Sequence, residues 1–325
     1  MATNQTTLNE SVNALANALV LQLINQSAQY QVGISHLENG CTIIDAGIHN
    51  TGSIEAGLLI AEICMGGLGQ ISIAQSLLFK NYATMIEVNT QSPVISCLAS
   101  QYAGWALQHE KFFSLGSGPA RAIAQREDIF KELNYLDRAE KTVLVLETDK
   151  IPPTEVIEKV ARDTHISPEH LTFILTPTNS IAGRAQIVAR VVEVALHKAH
   201  TLHFPLHQII SGYGSAPLPP ASDNFLSAMG RTNDAILFGG FVQLQVRCSD
   251  IEAEKFANEL PSSASKDYGR PFAEIFKSVN MDFYKIDPML FSPAKVVVHN
   301  QSTGSSFASG ALDEDLLNKS FSDIK

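Results

Sequence analysis

Val12, Leu15, Ala16, Leu19, Leu23 and Ile24 recur at helical spacing, so an amphipathic helix is expected to begin near Ser11, after a polar, fraying stretch over residues 1 to 10. Two short alternating runs, Gln31 to Ser35 and Cys41 to Asp45, flank Glu38-Asn39-Gly40 and predict a β-hairpin. The apolar segment Ile54 to Met65 reads as a helix stopped by Gly66-Gly67-Leu68-Gly69. From residue 140 the pattern becomes strand, helix, strand, helix: Thr142 to Glu147, Thr154 to Asp163, Leu171 to Thr176 and Ser180 to Lys198. Both strands are nearly continuous apolar runs, as expected when helices cover both faces of a sheet. Gln208 to Ser211, Ala235 to Val246 with a Gly239-Gly240 interruption, and Lys295 to His299 are further strand candidates. The expected class is α/β: a two-domain, mixed-sheet protein with a ligand pocket between domains 1–140 and 141–325. The 325 residues exceed the ~100 to 200 of one domain, which favours that division. Pro217, Pro219 and Pro220 mark either a linker or a proline-rich active-site loop.

The segment Ile181 to Leu196 carries the clearest chemistry. On a helical wheel, apolar residues occupy nearly the whole circumference, leaving a narrow polar sector of Gln186, Arg190, Glu193 and His197. Arg190 and Glu193 are three residues apart and able to touch. One reading is an exposed ion pair, which is common and contributes little. The functional reading is that Arg190 keeps Glu193 ionised, poised to take a proton from water. Pro177-Thr178-Asn179-Ser180 supplies helix-capping side chains directly after a strand, so the helix should start at the carboxyl edge of the sheet, where ligands bind. Glu147 ends the strand Val143 to Leu146 and brings a second carboxylate to that edge if the two strands run parallel.

Composition narrows the alternatives. A formal net charge of -10 without any Lys/Arg-rich run argues against a nucleic-acid surface. No cation precedes an apolar run in the first 20 residues, and no window approaches ~18 apolar residues, so neither a secretory signal nor a membrane span is expected and the protein is placed in the cytoplasm. Cys41, Cys64, Cys97 and Cys248 lack CxxC spacing and read as reduced, buried thiols. His197, His200, His203 and His207 raise a metal site, but their spacing is not HExxH, no acidic ligand recurs with them, and two sit where a helix C-terminus favours such side chains. No metal is expected. Gly116-Ser117-Gly118-Pro119-Ala120-Arg121 offers backbone N–H groups and a cation to an anion, or is a plain turn; Tyr268-Gly269-Arg270-Pro271-Phe272 has the same ambiguity.

Several long segments in order resemble the methenyltetrahydromethanopterin cyclohydrolase family, from Ser11-Val12-Asn13 to Ser292-Pro293-Ala294. They include Ser100-Gln101-Tyr102-Ala103-Gly104-Trp105, Gly116 to Arg121, Thr176 to Glu193, Gly230-Arg231-Thr232-Asn233-Asp234-Ala235, Tyr268 to Phe272 and Tyr284-Lys285-Ile286-Asp287-Pro288. The resemblance implies hydrolysis of a methenyl pterin carrier to its 5-formyl form between two α/β domains, without metal or organic cofactor. Tetrahydromethanopterin is then the substrate carrier, in a pathway toward methane or formaldehyde oxidation. It also implies that Arg190 and Glu193 are the family's catalytic pair, that Glu147 is its second glutamate, and that the chain forms a homo-oligomer, with a trimer as the form suggested. A lysine is implied as well, in the region of Gln101 and Lys111. Gln186, Gly116, Ser117 and Gly118 are the accompanying substrate-binding candidates, with Arg121, Arg231 and Arg270 as contacts for the anionic tail. Two rivals stand beside this reading: a zinc-dependent cyclic-amidine hydrolase built on the histidines, and a non-catalytic pterin-binding carrier.

Overall fold

A computed structural model describes residues 10–322, so the fraying expected ahead of Glu10 lies outside the described residues. In chain order the strands are β1 (Gly33–His36), β2 (Thr42–Asp45), β3 (Gly69–Gln75), β4 (Thr84–Thr90), β5 (Trp105–His109), β6 (Phe112–Ser117), β7 (Thr142–Leu146), β8 (Leu171–Leu175), β9 (Ile209–Pro217), β10 (Phe241–Val246), β11 (Lys295–Asn300) and β12 (Ser306–Gly310). They form two six-stranded sheets, in the orders β1-β2-β8-β7-β6-β5 and β12-β11-β10-β9-β4-β3. Strands β2, β8 and β7 run parallel and their flanking strands antiparallel, giving the mixed α/β architecture expected. Each sheet draws strands from both sides of residue 140, so a cut there would divide both.

The helices Val12–Asn25 and Ile54–Cys64 cover one face of the first sheet, packing Val20, Leu23 and Ile60 against Val143, Val145 and Ile174. Thr154–Thr164 covers the other face, with Val156 and Val160 against Leu144 and Phe173. Two-sided burial is why β7 and β8 read as unbroken apolar runs. Ala182 belongs to the core of the first sheet, whereas Val188 to Ala199 pack into the core of the second. The segment after β8 therefore crosses the seam between the two sheets.

That segment is not one helix. Ser180 caps its start by accepting a 2.9 Å hydrogen bond from the Gly183 amide. The helix Ile181–Val188 then stops, and Val191–Thr201 begins after Ala189 and Arg190, where ψ rises to -1° and 5°. The Arg190 amide bonds to the Ile187 carbonyl, the tighter three-residue pattern of a helix end. Nor is the expected strand Ala235 to Val246 continuous: Phe225–Leu237 is a helix capped by Asn224, and only Phe241–Val246 is strand. Gly239-Gly240 terminates a helix there, because Ala228, Thr232, Ala235 and Ile236 are buried at helical spacing.

Close packing holds Ile181–Val188 in place. A Cβ at Gly57 would lie 2.6 Å from the Ala182 carbonyl oxygen and 2.7 Å from the Ala185 methyl. Gly57→Ala is expected to cost about 1–3 kcal/mol in urea unfolding, because overpacking there must push the two helices apart.

Candidate active site

The parallel pairing of β7 with β8 brings Glu147 and the start of Ile181–Val188 to the same carboxyl edge. Gln186 and Arg190 project from this segment toward Glu147: Gln186 Nε2 donates to Glu147 Oε1 at 3.4 Å, and Arg190 Nε lies 3.8 Å from the same oxygen. Arg190 Nη2 donates to Gln186 Oε1 at 3.4 Å, and its Nη1 is 3.6 Å from Glu193 Oε2. Glu193 sits in the first turn of Val191–Thr201, where the helix dipole favours a negative charge. The break thus lets Arg190 face both carboxylates at the seam.

Gln101 is buried in the same cluster. It ends a π-helix, Val94–Gln101, a geometry frequent at functional sites. The Gln101 carbonyl accepts from Arg190 Nη1 at 2.7 Å and from Ser117 Oγ at 2.5 Å, and its side-chain Nε2 donates to the Ala189 carbonyl at 3.3 Å. Gln101 Oε1, Arg190 Nε and Thr176 Oγ1 are buried without a hydrogen-bond partner in the protein. Buried polar groups normally find partners, so these three atoms have hydrogen-bonding capacity left to offer a bound molecule. The Thr176 amide donates to the Leu146 carbonyl, which sets Thr176 beside Glu147.

Arg190 and Glu193 are buried, so the ion pair is not the exposed pair that spacing alone allows. The electrostatic balance also differs from expectation. Burial pushes the Glu193 carboxyl up to about 7, although Arg190 and then Arg121 pull it down. Arg190 stays charged despite burial, because Glu147 and Glu193 flank it. A carboxyl near neutrality is a better proton acceptor than a fully stabilised carboxylate and still ionises at working pH. Glu147 is the outer group, with 34% of its side chain exposed.

The remaining candidates divide. Ser117 joins the cluster through Gln101, while the Gly118 amide donates to the Ser100 carbonyl and Gly116 is buried in the β6–β7 pairing. Arg121 is fully buried: it pairs with Glu127 at 2.6 Å and donates to the Leu98 and Ser100 carbonyls, which commits its guanidinium to the protein's own acceptors. Arg231 is buried in Phe225–Leu237 and donates to the Ala221 carbonyl at 2.6 Å, and Arg270 is exposed in the loop before Phe272–Ser278. Lys111 is exposed at the β5–β6 turn, away from the buried position of Gln101. Sequence reasoning missed Thr176, and no spacing signal marks a lone threonine at a strand end.

The four histidines diverge. His197 stacks on Tyr102 with ring centres 4.7 Å apart, and burial drives it down to about 4. His200 is 3.0 Å from Glu132, while His203 and His207 are exposed. No group of three or more His, Cys, Asp or Glu side chains is arranged to hold a metal among the described residues. No helix among them is long and apolar enough to cross a membrane.

The chain matches the family described as cyclohydrolase (MCH) over residues 11–321. It is 62% identical to the methenyltetrahydromethanopterin cyclohydrolase of Methylobacillus flagellatus, across 97% of this chain and 96% of that protein. The protein of the same name from Methylobacterium organophilum is 50% identical over 96% of this chain and 97% of its own length. That from Methanothermobacter marburgensis is 41% identical over 96% and 99%.

Proposed function

Because the chain belongs to the cyclohydrolase (MCH) family, we propose that it adds water to the bridging carbon of 5,10-methenyltetrahydromethanopterin and opens the bridge, reversibly, to the 5-formyl form. The observation that carries the residue assignment is Glu193, buried at the seam beside Arg190 and raised to about 7. The bridging carbon belongs to a cationic amidinium and is already electrophilic. Water attacks it while Glu193 takes one proton, forming a neutral hydroxy adduct. The bond from that carbon to one ring nitrogen then breaks as the hydroxyl loses its proton and becomes the formyl carbonyl. One of the two protons ends on the departing nitrogen and the other leaves to solvent, for which the half-exposed Glu147 is the route. Arg190 stabilises the oxygen of the adduct and tunes Glu193.

This chemistry asks for no metal or organic cofactor, since the substrate supplies its own electrophile. The decisive experiment mixes chelator-treated protein with methenyltetrahydromethanopterin and follows loss of the methenyl chromophore, with methenyltetrahydrofolate alongside. Rapid loss with the methanopterin form is expected. Activity restored only by added zinc would favour the metal-dependent rival, and tight binding without turnover the carrier protein.

The enzyme works in the cytoplasm, a reading supported by its four unpaired cysteines. It assembles as a homo-oligomer, in keeping with the exposed Ile73, Leu77 and Leu78 along β3 and the turn that follows it. A trimer is the form proposed.

A further inference from the structure

Only Gly116 and Ser117 of β6 pair with β7, opposite Leu146 and Val145. The rest of β6, with its partner β5, therefore continues past the carboxyl end of β7, and the same register sets Leu115 across from Glu147. Side chains alternate along a strand, so Phe113, Leu115 and Ser117 share one face, the one that also carries Val145 and Glu147. Helices cover that face over β2, β8 and β7, but no residue of β5 or β6 belongs to the core beneath them. Phe113 and Leu115 are accordingly 55% and 38% exposed, beside exposed Ala106 and Gln108 on β5. The opposite face is fixed: Trp105, Leu107 and Phe112 are buried against Thr154–Thr164. The overhanging hairpin is thus a rigid wall, apolar on the side of the active-site carboxylates.

We propose that Phe113 and Leu115 form the binding wall for the flat aromatic group of the substrate adjoining its methenyl bridge, a reading that rests on the proposed reaction. The occupant follows from position. If the bridging carbon sits at Glu193, the aryl ring on the bridge nitrogen must leave the buried cluster at its open side, marked by Glu147. Phe113 and Leu115 are two residues apart on a strand, about 7 Å, the span of one aromatic ring. An uncovered apolar surface of that size beside a polar cluster is how ligand sites are commonly lined.

The test is steady-state kinetics of Phe113→Ala and Leu115→Ala with methenyltetrahydromethanopterin, with oligomeric state by light scattering and melting temperature recorded for each. Both side chains are exposed, so wild-type folding is expected, and Phe113→Leu and Leu115→Met provide conservative controls. The expected result is a KM raised about tenfold in each alanine variant, from lost apolar burial, with kcat and assembly unchanged and KM restored in the controls. A wild-type KM in both alanine variants, or dissociation of the oligomer with KM unchanged, would overturn the wall and assign the surface to a second copy of the chain in the latter case. An inert wild-type enzyme would instead overturn the reaction reading and the wall with it.

Discussion

Glu193→Gln is expected to lower the turnover number by about 10²- to 10⁴-fold, the usual contribution of a general base, with substrate binding retained. Glutamine keeps the shape of the side chain and its contact with Arg190 but cannot accept the proton of water. The same variant has a stability signature. Burial raises the Glu193 carboxyl from 4.5 to about 7, so the folded state holds this proton more tightly than the unfolded chain. Between those values the unfolded state binds fewer protons, and stability falls as pH rises; the cost is fully present above 7. Removing the charge should therefore stabilise the protein at pH 8 by on the order of 1–3 kcal/mol and flatten the dependence below it. Urea unfolding of both proteins at pH 5 and pH 8 reads this directly. Loss of activity with a gain of stability would mark a group held for chemistry at the expense of folding.

Arg190→Ala should damage both turnover and folding. Arg190 is the cation between Glu147 and Glu193 and also donates to the Gln101 carbonyl, so its loss uncouples the two carboxylates, the helix break and the π-helix together. Breaking a buried pair by removing one partner typically costs about 3–5 kcal/mol, because the remaining charge is left uncompensated. Here the penalty should shrink toward pH 6, where Glu193 can take up a proton instead. Turnover should fall by about 10²-fold or more from lost stabilisation of the adduct alone. Arg190→Lys should recover only part of either, since an ammonium cannot address both carboxylates and the Gln101 carbonyl with a planar fork. Equal stability of Arg190→Ala and wild type at pH 8 would contradict this coupling.

The residues at the centre of the candidate site were legible because they share one face of a mostly apolar segment. Gln186, Arg190 and Glu193 form a compact polar sector of a helix-like stretch, and Glu147 directly follows β7, which pairs in parallel with β8. What spacing did not reveal was the break at Ala189 and Arg190, since neither residue is a glycine or proline and tertiary packing across two cores decides where the helix ends. Nor did it reveal Gln101, because a π-helix has no sequence signature and the glutamine matters through its carbonyl and buried amide. The overhang of β5 and β6 was likewise invisible: strand pairing over two residues leaves no periodic trace, and Phe113 and Leu115 look like any exposed pair until the register is known. The sign of the Glu193 shift could not be read either, since proximity to Arg190 and depth of burial oppose each other and only the fold says which is larger.

The pH dependence of kcat/KM for wild-type enzyme reports the free enzyme's essential base. With Glu193 as that base, activity rises with pH through an acid limb centred at about 7, and the residual activity of Glu193→Gln lacks the limb. A profile flat from about pH 5 to 9, or the same limb surviving in Glu193→Gln, would assign the base to another residue.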